Sequence, residues 1–464
     1  MKVLLMLPQS DSHYLVPPVN LGYLATAIRN HEYNVKIIDG IKENLTLSSL
    51  KNRLKKLNPD VIGITIFSCD VAMTKKYLRV IKKYNSKIKI ILGGSHVSGV
   101  GKDIYEDFPS VDYALHGEAE KGFPMLLDLI KSKKRTSKEL KKIPGLLYKY
   151  GKKIVKNLAY FEHDLDSLGI PAWDLIDPRT YPLAPQGAVF RNYPIAPIIM
   201  SRGCPYQCTY CASKVVTGME FRKRSVENII KEVEILYHNY GVKEIHIIDD
   251  TFTLDRKRVE DFCHELHARK IKLTFTFPNG VRLNTLDEPL LRLLKKSGCY
   301  AMSVGIESGS QRILNDMKKS LTLKQIKEKI DLIDKVGMDV NGFFIVGYPT
   351  ENRKTILQTI KFAKTLKIKR AHFSSFLPLP GTEITSWLKK KGLVKKINWS
   401  RLFYSGVPFA PPGMTKKELK DLQRRAFLEF YLRPKIIFYM ILEIGSWTHF
   451  KFLMKRAKDY AFGN

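Results

Sequence analysis

Short apolar runs alternate with longer amphipathic stretches along the first 130 or so residues. The runs are rich in Val and Ile, end near Gly, Asp or Ser, and lie at 3–7, 35–39, 61–66, 88–94 and 111–117. Between them apolar residues recur at helical spacing, as in 21–30 and 72–84. Continuous apolar strands separated by helices are typical of a parallel sheet covered on both faces. The pattern predicts an α/β domain with a doubly wound sheet, which binds ligands beyond the carboxyl ends of its strands.

The alternation stops between residues 133 and 194. A lysine-rich run, KSKKRTSKELKK (131–142), precedes a predicted hairpin, GLLYKYGKKIVKN (145–157), and a proline-bearing segment, IPAWDLIDP (170–178). Proline-bearing, strongly polar stretches commonly connect domains. We therefore expect a first domain over 1–140, and a hairpin and linker over 141–194.

A second alternation begins near Ile195. Its predicted strands are 196–201, 244–250, 273–280, 300–308, 340–347 and 370–381, with helical patterns such as 226–241 and 323–337 between them. Six strand-helix units predict a partial (β/α)6 barrel over 195–400, with its active site at the carboxyl ends of the strands. Residues 401–464 lack this repeat and form a helical C-terminal region, with helical patterns at 415–432 and 434–447.

Composition narrows the functional classes. Of 464 residues, 44% are hydrophobic, which is enough for a sizeable core, and six cysteines do not resemble a secreted disulfide framework. The apolar run from Val3 to Leu7 is too short for a signal peptide. We expect no membrane-spanning helix and a cytoplasmic location. The net charge of +33 comes from lysines spread along the whole chain, so we expect solvated faces and no nucleic-acid partner.

Three cysteines form the clearest chemical motif. In SRGCPYQCTYC (201–211), Cys204, Cys208 and Cys211 are spaced C-x3-C-x2-C, directly after the first strand of the second alternation. A closed zinc site needs four ligands, and the next histidine, His238, lies in a predicted helix. The other three cysteines, 69, 263 and 299, stand alone and are expected to be buried thiols. Three thiolates suit a four-iron cluster in which one iron lacks a protein ligand.

This motif, with Tyr210 before its last cysteine, resembles that of the radical S-adenosylmethionine superfamily. IHIIDDTFT (245–253), SVGIESGS (303–310) and NGFFIVGYPTE (341–351) are similar to the later cofactor-binding strands of that family, in the same order. The resemblance covers about 195–400. It implies a [4Fe-4S] cluster on the three cysteines and S-adenosylmethionine on the open iron. It also implies an electron donor such as flavodoxin or ferredoxin, and a 5′-deoxyadenosyl radical that removes hydrogen from an unactivated carbon.

Further cofactor-binding candidates follow only from this resemblance. It places Asp249 and Asp250 near the methionine amine, and Glu307 and Ser308 near the ribose or methionine. It places Tyr210 in the cluster loop and Gly347 near the adenine. Asn279 and Arg282 become candidates for binding the cofactor carboxylate or the substrate. Two simpler roles stay open, because a buried carboxylate can hold a helix N-terminus and a glycine can serve a strand-end turn.

The first domain, placed before a radical domain, resembles the flavodoxin-like cobalamin-binding domain of cobalamin-dependent radical enzymes. The similar segments are 17–39, 58–65, 91–99, 111–120 and the connector IPAWDLI (170–176). The resemblance implies that the corrin and its nucleotide tail meet the strand ends, at Thr65, Ser68, Gly93, Gly94, Ser95, His96, Gly117 and Glu118. Other cobalamin domains bind cobalt through D-x-H-x-x-G. Here DSHYLV (11–16) has Val16 in place of the glycine, so we expect His13 to be a polar loop residue.

Together these resemblances predict a cobalamin-dependent radical enzyme that methylates an unactivated carbon of a small-molecule or lipid substrate. One alternative keeps both cofactors but performs oxidative cyclisation or rearrangement. Another is a zinc-bearing nucleic-acid-binding protein. A methylthiotransferase is disfavoured, because only Cys69 precedes Cys204 and a second cluster needs three further cysteines. The basic, aromatic stretch 427–447 predicts either a helix packed across the barrel mouth or a peripheral membrane contact.

Overall fold

The computed structural model describes residues 1–10, 15–133, 136–182, 190–399 and 406–442, with isolated positions at 402, 444, 447, 450, 451 and 454. Asp11 and His13, and with them the question of a cobalt-binding histidine, lie outside the described residues. The same holds for most of the chain beyond residue 442.

The first sheet has seven strands in the order β2-β1-β3-β4-β5-β6-β7. These are β1 (Lys2–Leu7), β2 (Asn34–Asp39), β3 (Val61–Thr65), β4 (Lys89–Gly93), β5 (Tyr113–Leu115), β6 (Leu146–Tyr150) and β7 (Lys153–Lys156). The first five are parallel, whereas the hairpin β6–β7 adds to the β5 edge in antiparallel fashion. The strand order reverses between β1 and β3, which is where a sheet of this type opens a crevice for a ligand.

Helices cover both faces of this sheet, as the apolar runs predicted. They are α1 (Val19–Asn30), α2 (Leu47–Leu57), α3 (Val71–Tyr84), α4 (Ser95–Val100), α5 (Ile104–Asp107), α6 (Gly122–Ser132) and α7 (Ser137–Lys141). One core joins Leu50, Leu54 and Tyr77 of α2 and α3 to alternate strand residues. The other core joins α1 and α6 to the opposite face. Burial on both faces explains why these strands contain few polar residues.

The second unit is an open, wholly parallel barrel of six strands in the order β15-β14-β13-β12-β11-β8. They are β8 (Ile195–Ile198), β11 (Glu244–Ile247), β12 (Thr274–Val281), β13 (Cys299–Glu307), β14 (Asp339–Val346) and β15 (Arg370–Ser375). Between β8 and β11, a short antiparallel pair is formed by β9 (Ser201–Arg202) and β10 (Arg222–Lys223). The predicted partial barrel and the α/β class are confirmed.

The barrel helices are α8 (Ser213–Val216), α9 (Val226–Glu234), α10 (Arg256–Ala268), α11 (Glu288–Lys296), α12 (Gln311–Asp316), α13 (Leu323–Val336), α14 (Arg353–Thr365) and α15 (Glu383–Lys390). Six of these eight, all except α8 and α12, begin at a residue whose side chain accepts a hydrogen bond from the first turn. Thr322 with Gln325 forms a reciprocal capping box on α13, and Gly337 ends that helix at φ +76°. The two caps therefore fix the first and the last residue of α13.

The C-terminal region packs beside the barrel. Helix α16 (Lys416–Tyr431) buries Leu419, Leu422, Ala426 and Phe430, and the Tyr431 hydroxyl bonds both the N–H and the C=O of Ala371 on edge strand β15. Helix α17 (Pro434–Leu442) buries only Ile436. Among the described residues, no helix has both the length and the apolar character needed to span a bilayer.

Candidate active site

The cysteine loop starts at a glycine that no other residue could replace without moving the backbone. Gly203 has φ +86°, and a Cβ at this position would lie 1.9 Å from the Glu220 carbonyl oxygen. The Cys204 N–H donates to the Gly218 carbonyl at 3.2 Å. The loop is therefore fixed at its entry by the strand pair β9–β10, by the close approach of Gly203 to Glu220, and by the hydrogen bond from Cys204 to Gly218.

The far end of the loop is tied to the opposite side of the barrel. The Thr209 N–H donates to the Met317 carbonyl at 3.1 Å, and the Ile384 N–H donates to the Thr209 carbonyl at 3.0 Å. The Thr209 hydroxyl lies 2.8 Å from the Tyr348 hydroxyl. Thr209 thus ties the backbone between Cys208 and Tyr210 to the opposite side of the barrel.

The three thiols lie in surroundings suited to a bound metal cluster. Burial raises the pKa of the Cys204 thiol and raises that of Cys211 to about 12. Arg282, which stacks over the Tyr206 ring at 3.5 Å, points Nη1 at the Cys208 sulfur from 3.8 Å. A cation and a bound metal both stabilise thiolates in such a site.

Within the described parts of the chain, no set of three or more His, Cys, Asp or Glu side chains converges where one metal ion could sit. Three thiolates carried by one loop also suit a multi-iron cluster, in which each cysteine binds a different iron.

Beside the cysteine loop, Glu307 and Lys319 form a buried ion pair. Glu307 ends β13 at φ +65°, and the Lys319 ammonium lies 2.8 Å from its carboxylate and 3.4 Å from the Tyr210 hydroxyl. Burial, followed by the nearby Glu307 carboxylate, raises the pKa of Tyr210 well above its ordinary value. Glu307 and Tyr210 were predicted from the sequence, whereas Lys319 was not, because no motif surrounds it.

Two adjacent aspartates at the end of β11 have different surroundings. Asp249 is buried and accepts hydrogen bonds from the Met200 N–H at 2.7 Å and the Ser201 hydroxyl at 2.5 Å. Burial raises the pKa of its carboxyl to about 6. Asp250 is exposed and accepts from the Thr217 hydroxyl at 2.7 Å. Asp249 therefore positions the strand that leads into the cysteines, whereas Asp250 presents a carboxylate to open space.

A cavity of about 460 Å³, called here the barrel cavity, lies inside the curved sheet. Four of the predicted cofactor residues line it, together with Cys211: they are Tyr210, Asp250, Asn279 and Glu307. Much of the remaining wall is apolar or aromatic, including Phe343, Phe376 and Leu377. The barrel cavity brings the cysteine loop and the inner faces of the strands to one space.

A second cavity of about 430 Å³, called here the interdomain cavity, lies at the carboxyl edge of the first sheet. It is lined by the predicted residues Thr65, Gly93, Gly94, Ser95, Gly117 and Glu118. Gly94 has φ +95°, and a Cβ there would lie within 2.8 Å of the Ile66 backbone. Phe67, half exposed at the rim, was missed, although an aromatic residue directly after β3 could have indicated it.

Asp250 and Asn279 line both cavities. Asn279 donates from Nδ2 to the Ile248 carbonyl at 2.7 Å, which fixes its side chain beside the end of β11. The barrel cavity and the interdomain cavity therefore meet at these two side chains.

Some predicted residues lie elsewhere. The Ser68 hydroxyl is 2.9 Å from Nδ1 of His96, and the His96 ring packs edge-on against Trp399. Ser308 is buried against Thr359 at 3.1 Å. A Cβ on Gly347 would lie 2.4 Å from Leu419, so this glycine serves a turn packed under α16. None of these four residues belongs to the described lining of either cavity.

A buried ionic network joins the two domains next to the cysteines. Both oxygens of Glu118 contact the Arg222 guanidinium, at 2.8 and 2.9 Å. Arg202, two residues before Cys204, pairs with Glu120 at 2.7 Å. Sequence reasoning missed this pairing because its members are far apart in the chain. The network sets the position of the first sheet relative to the cysteine loop.

Comparison with known proteins identifies the family. A model described as "Radical SAM superfamily" matches residues 198–363, and one described as "B12 binding domain" matches residues 10–127. A protein of Pyrococcus horikoshii, "Uncharacterized methyltransferase PH0819", is 33% identical over 98% of this chain and 97% of its own length. The chain belongs to the radical S-adenosylmethionine enzymes that carry a B12-binding domain.

A relative named for a different activity and a solved structure are also similar to this chain. The anaerobic magnesium-protoporphyrin IX monomethyl ester cyclase of Cereibacter sphaeroides is 26% identical over 91% of this chain and 68% of its own length. The cobalamin-dependent radical enzyme OxsB shares the fold, with a TM-score of 0.74 at 16% identity, over 99% of this chain and 72% of its own.

Family membership confirms the expected cofactors of a B12-binding radical enzyme: a [4Fe-4S] cluster, S-adenosylmethionine and cobalamin. The zinc-bearing nucleic-acid-binding alternative finds no support in these comparisons.

Proposed function

We propose that this protein is a cobalamin-dependent radical methyltransferase that acts on an unactivated carbon of a small-molecule or lipid substrate. The observation that carries the proposal is the meeting of the two cavities at Asp250 and Asn279. A methyl group carried at the first sheet and a hydrogen-abstracting centre in the barrel need a shared space. When bound, the cluster with S-adenosylmethionine supplies hydrogen abstraction, and cobalamin supplies the methyl group.

In this proposal Cys204, Cys208 and Cys211 hold the cluster. Arg282 donates toward the Cys208 sulfur and compensates part of the negative charge of three thiolates. Thr209 and Gly203 keep the loop in one conformation. The site thus presents three fixed thiols rather than a flexible loop that a cluster would have to order.

The residues around Tyr210 are proposed to bind S-adenosylmethionine. Glu307 and Asp250 offer carboxylates to cationic or hydroxyl groups, and Asn279 lies beside them with its Nδ2 bound to the Ile248 carbonyl. Lys319 neutralises Glu307 in part, which keeps that carboxylate in place in a buried site. The surrounding barrel excludes water from the reacting atoms.

The interdomain cavity is proposed to hold the corrin. Its lining is mostly apolar, with Leu21, Leu115 and Phe123 below and Phe67 at the rim. Gly93, Gly94 and Ser95 bring backbone N–H groups to the strand end, where they can meet amide or phosphate groups. The mixture of a broad apolar surface and a polar rim suits a large, flat, amide-bearing ring.

Two contacts outside the cavities belong to the same proposal. The exposed residues Pro205 and Gln207 of the cysteine loop offer a route for an electron donor such as flavodoxin or ferredoxin to approach the cluster. Helix α17 exposes Ile437, Phe438 and Ile441, and is proposed to lie on a membrane surface. Such a contact would bring the barrel close to a lipid substrate.

Anaerobic reconstitution tests the proposal. Iron, sulfide and cobalamin are measured on the purified protein, and products are analysed after supplying S-adenosylmethionine with a deuterated methyl group. Transfer of the label to a new carbon supports methyl transfer. Product formation that needs cobalamin but carries no label would instead favour the alternative without methyl transfer, a cyclisation or rearrangement; the Cereibacter sphaeroides relative is named as a cyclase. Absence of cobalamin after reconstitution would refute both.

A further inference from the structure

Asn341, on the inner face of β14, has a hydrogen-bond acceptor with no partner. Its side chain is 3% exposed, and no described residue donates to Oδ1. Asn341, Phe343 and Ile345 alternate along β14 and line the barrel cavity. Phe344 also borders the cavity, and it belongs to the buried core with Val340 and Val346. Buried acceptors are nearly always satisfied, so an orphan acceptor on a residue that lines a cavity points to a bound molecule that supplies the donor.

The neighbours of Asn341 do not supply this donor. Ser303 lies directly across from Asn341 in the register of β13 and β14, and its side chain also lines the cavity. The Thr276 hydroxyl, on the next strand, donates to the Ala301 carbonyl at 2.8 Å. These three side chains form a polar floor, and the Asn341 oxygen is its unsatisfied acceptor.

The walls above this floor are apolar and aromatic. Phe343 lies beside His372, with ring centroids 5.4 Å apart and planes inclined at 54°. Phe376, Leu377 and Leu379 complete the wall on the side of β15. The described lining contains no Lys or Arg. A ligand seated on this floor therefore meets mainly apolar walls, and no lysine or arginine of the described lining is placed to pair with an anionic group.

The floor is separate from the cofactor-binding end of the barrel. Ser303 precedes Glu307 by four residues on β13, which at about 3.3 Å per residue is roughly 13 Å along the strand. Tyr210 and Cys211 lie at the Glu307 end, because the cysteine loop follows the carboxyl edge of the sheet. The Asn341 acceptor thus lies deeper in the barrel than the groups proposed to bind the methionine end of the cofactor.

We propose that this floor is the substrate subsite, and that Asn341 Oδ1 accepts a hydrogen bond from an N–H or O–H group of an uncharged, largely apolar substrate. The inference rests on the proposed function and specifies the chemical class that its barrel cavity selects. The same hydrogen bond fixes the substrate against Phe343 and so decides which carbon faces the cofactors. Asn341 is a substrate-binding residue in this assignment and takes no part in breaking bonds.

A matched pair of probes tests the assignment. Indole and benzofuran have nearly the same shape, but only indole carries an N–H donor. Their Kd values are measured by ligand-observed NMR on the anaerobically reconstituted protein with saturating S-adenosylmethionine. The Kd of S-adenosylmethionine is measured separately. Wild type is compared with Asn341→Leu, which removes the acceptor, and with Asn341→Asp, which keeps one. Iron and sulfide content establish that each variant is folded and loaded.

Wild type is expected to bind indole about tenfold more tightly than benzofuran, the ratio that about 1.4 kcal/mol produces. Asn341→Leu abolishes this preference, and Asn341→Asp retains it. Equal affinity for the two probes in wild type, or no binding of either, overturns the inference, as does a preference that survives in Asn341→Leu. A tenfold loss of S-adenosylmethionine affinity in Asn341→Leu, with the indole preference intact, would assign the residue to the cofactor instead.

These outcomes are independent of the proposed function. Wild-type protein that forms 5′-deoxyadenosine from S-adenosylmethionine and contains cobalamin, but does not discriminate between the probes, refutes only the subsite. Loaded protein that discriminates between the probes but never forms 5′-deoxyadenosine refutes only the radical function.

Discussion

The guanidinium of Arg282 lies over the ring of Tyr206, with Cζ 3.5 Å from the ring centroid, and directs Nη1 at the Cys208 sulfur from 3.8 Å. A cation held against one cluster ligand stabilises the reduced cluster, which carries the more negative charge. The stack on Tyr206 keeps that charge from swinging away, and Nη2 is held by the Lys319 carbonyl at 2.5 Å.

Replacing Arg282 is expected to lower the reduction potential of the cluster. Arg282→Met removes both the charge and the hydrogen bond, whereas Arg282→Lys keeps a charge and gives a smaller change. The midpoint is followed by electron paramagnetic resonance during a potentiometric titration of the reconstituted protein. Arg292→Met, a change in an exposed residue on α11, is the control. An unchanged midpoint in fully loaded Arg282→Met would contradict the assignment.

The Glu118–Arg222 pair is expected to carry much of the interdomain stability. Both side chains are at least nine-tenths buried, so Glu118→Gln leaves a buried guanidinium without its counter-charge, at a cost of about 3–5 kcal/mol. Denaturant unfolding of the purified protein measures this cost. The exposed pair Arg29–Asp174 is the control, and Asp174→Asn should cost no more than about 1 kcal/mol. Similar losses in the two variants would show that the buried pair has no special role.

Glu351 predicts a pH dependence of stability. Burial raises the pKa of its carboxyl from 4.5 to about 8, while Oε2 accepts from the N–H groups of Gly347 and Tyr348. Below pH 4.5 the group is protonated in both states, and its full contribution to stability is present. As pH rises toward 8, the unfolded chain releases this proton first. The contribution of this group to the free energy of unfolding therefore falls over that range.

Denaturant unfolding between pH 5 and about 8.5 measures this dependence, with Glu351→Gln as the reference that cannot titrate. The difference in unfolding free energy, wild type minus variant, should decrease by a few kcal/mol as pH rises. A difference that stays constant or grows with pH would mean that the carboxyl is ionised in the folded protein.

Helix α17 is expected to bind anionic vesicles. Ile437, Phe438 and Ile441 are each more than 40% exposed, and the exposed Lys435 lies in the first turn of the same helix. A Phe438→Glu, Ile441→Glu double variant should lose sedimentation with phosphatidylglycerol vesicles and leave the fold intact. Wild type should bind more weakly at high salt and to phosphatidylcholine. Equal sedimentation of the two proteins would refute the membrane contact.

The fold was predictable because a strand that is buried on both faces consists of a continuous run of apolar residues. Val- and Ile-rich runs predicted the buried parallel strands of the first unit, and the second strand-helix alternation predicted the barrel. The cysteine spacing located the proposed cluster-binding loop. The pairing of β6 with β5 was not predictable, since a hairpin pattern does not say which sheet edge it joins. The ion pairs of Lys319 and Arg202 were not predictable for a similar reason, because the partner of each residue is not its neighbour in the sequence.

The choice between neighbouring polar residues at one strand end was also beyond the sequence. Thr65 and Ser95 face the interdomain cavity, whereas Ser68 and His96, on adjacent turns, bond to each other beside Trp399. Ser308 likewise follows Glu307 but turns toward Thr359. The backbone conformation of the turn after a strand, such as the φ of +65° at Glu307, decides whether a side chain faces the cavity or the core. The residue types in these turns do not predict that conformation.

The Tyr431 hydroxyl, bonded to both backbone groups of Ala371, occupies hydrogen-bonding positions that a seventh barrel strand would otherwise fill. An open barrel has an exposed strand edge, and such an edge recruits strands from other molecules. Helix α16 therefore blocks strand pairing with other molecules at the β15 edge, in addition to its packing in the core. A chain that ends before Thr415 would expose β15, and its main defect would be aggregation rather than a change in chemistry.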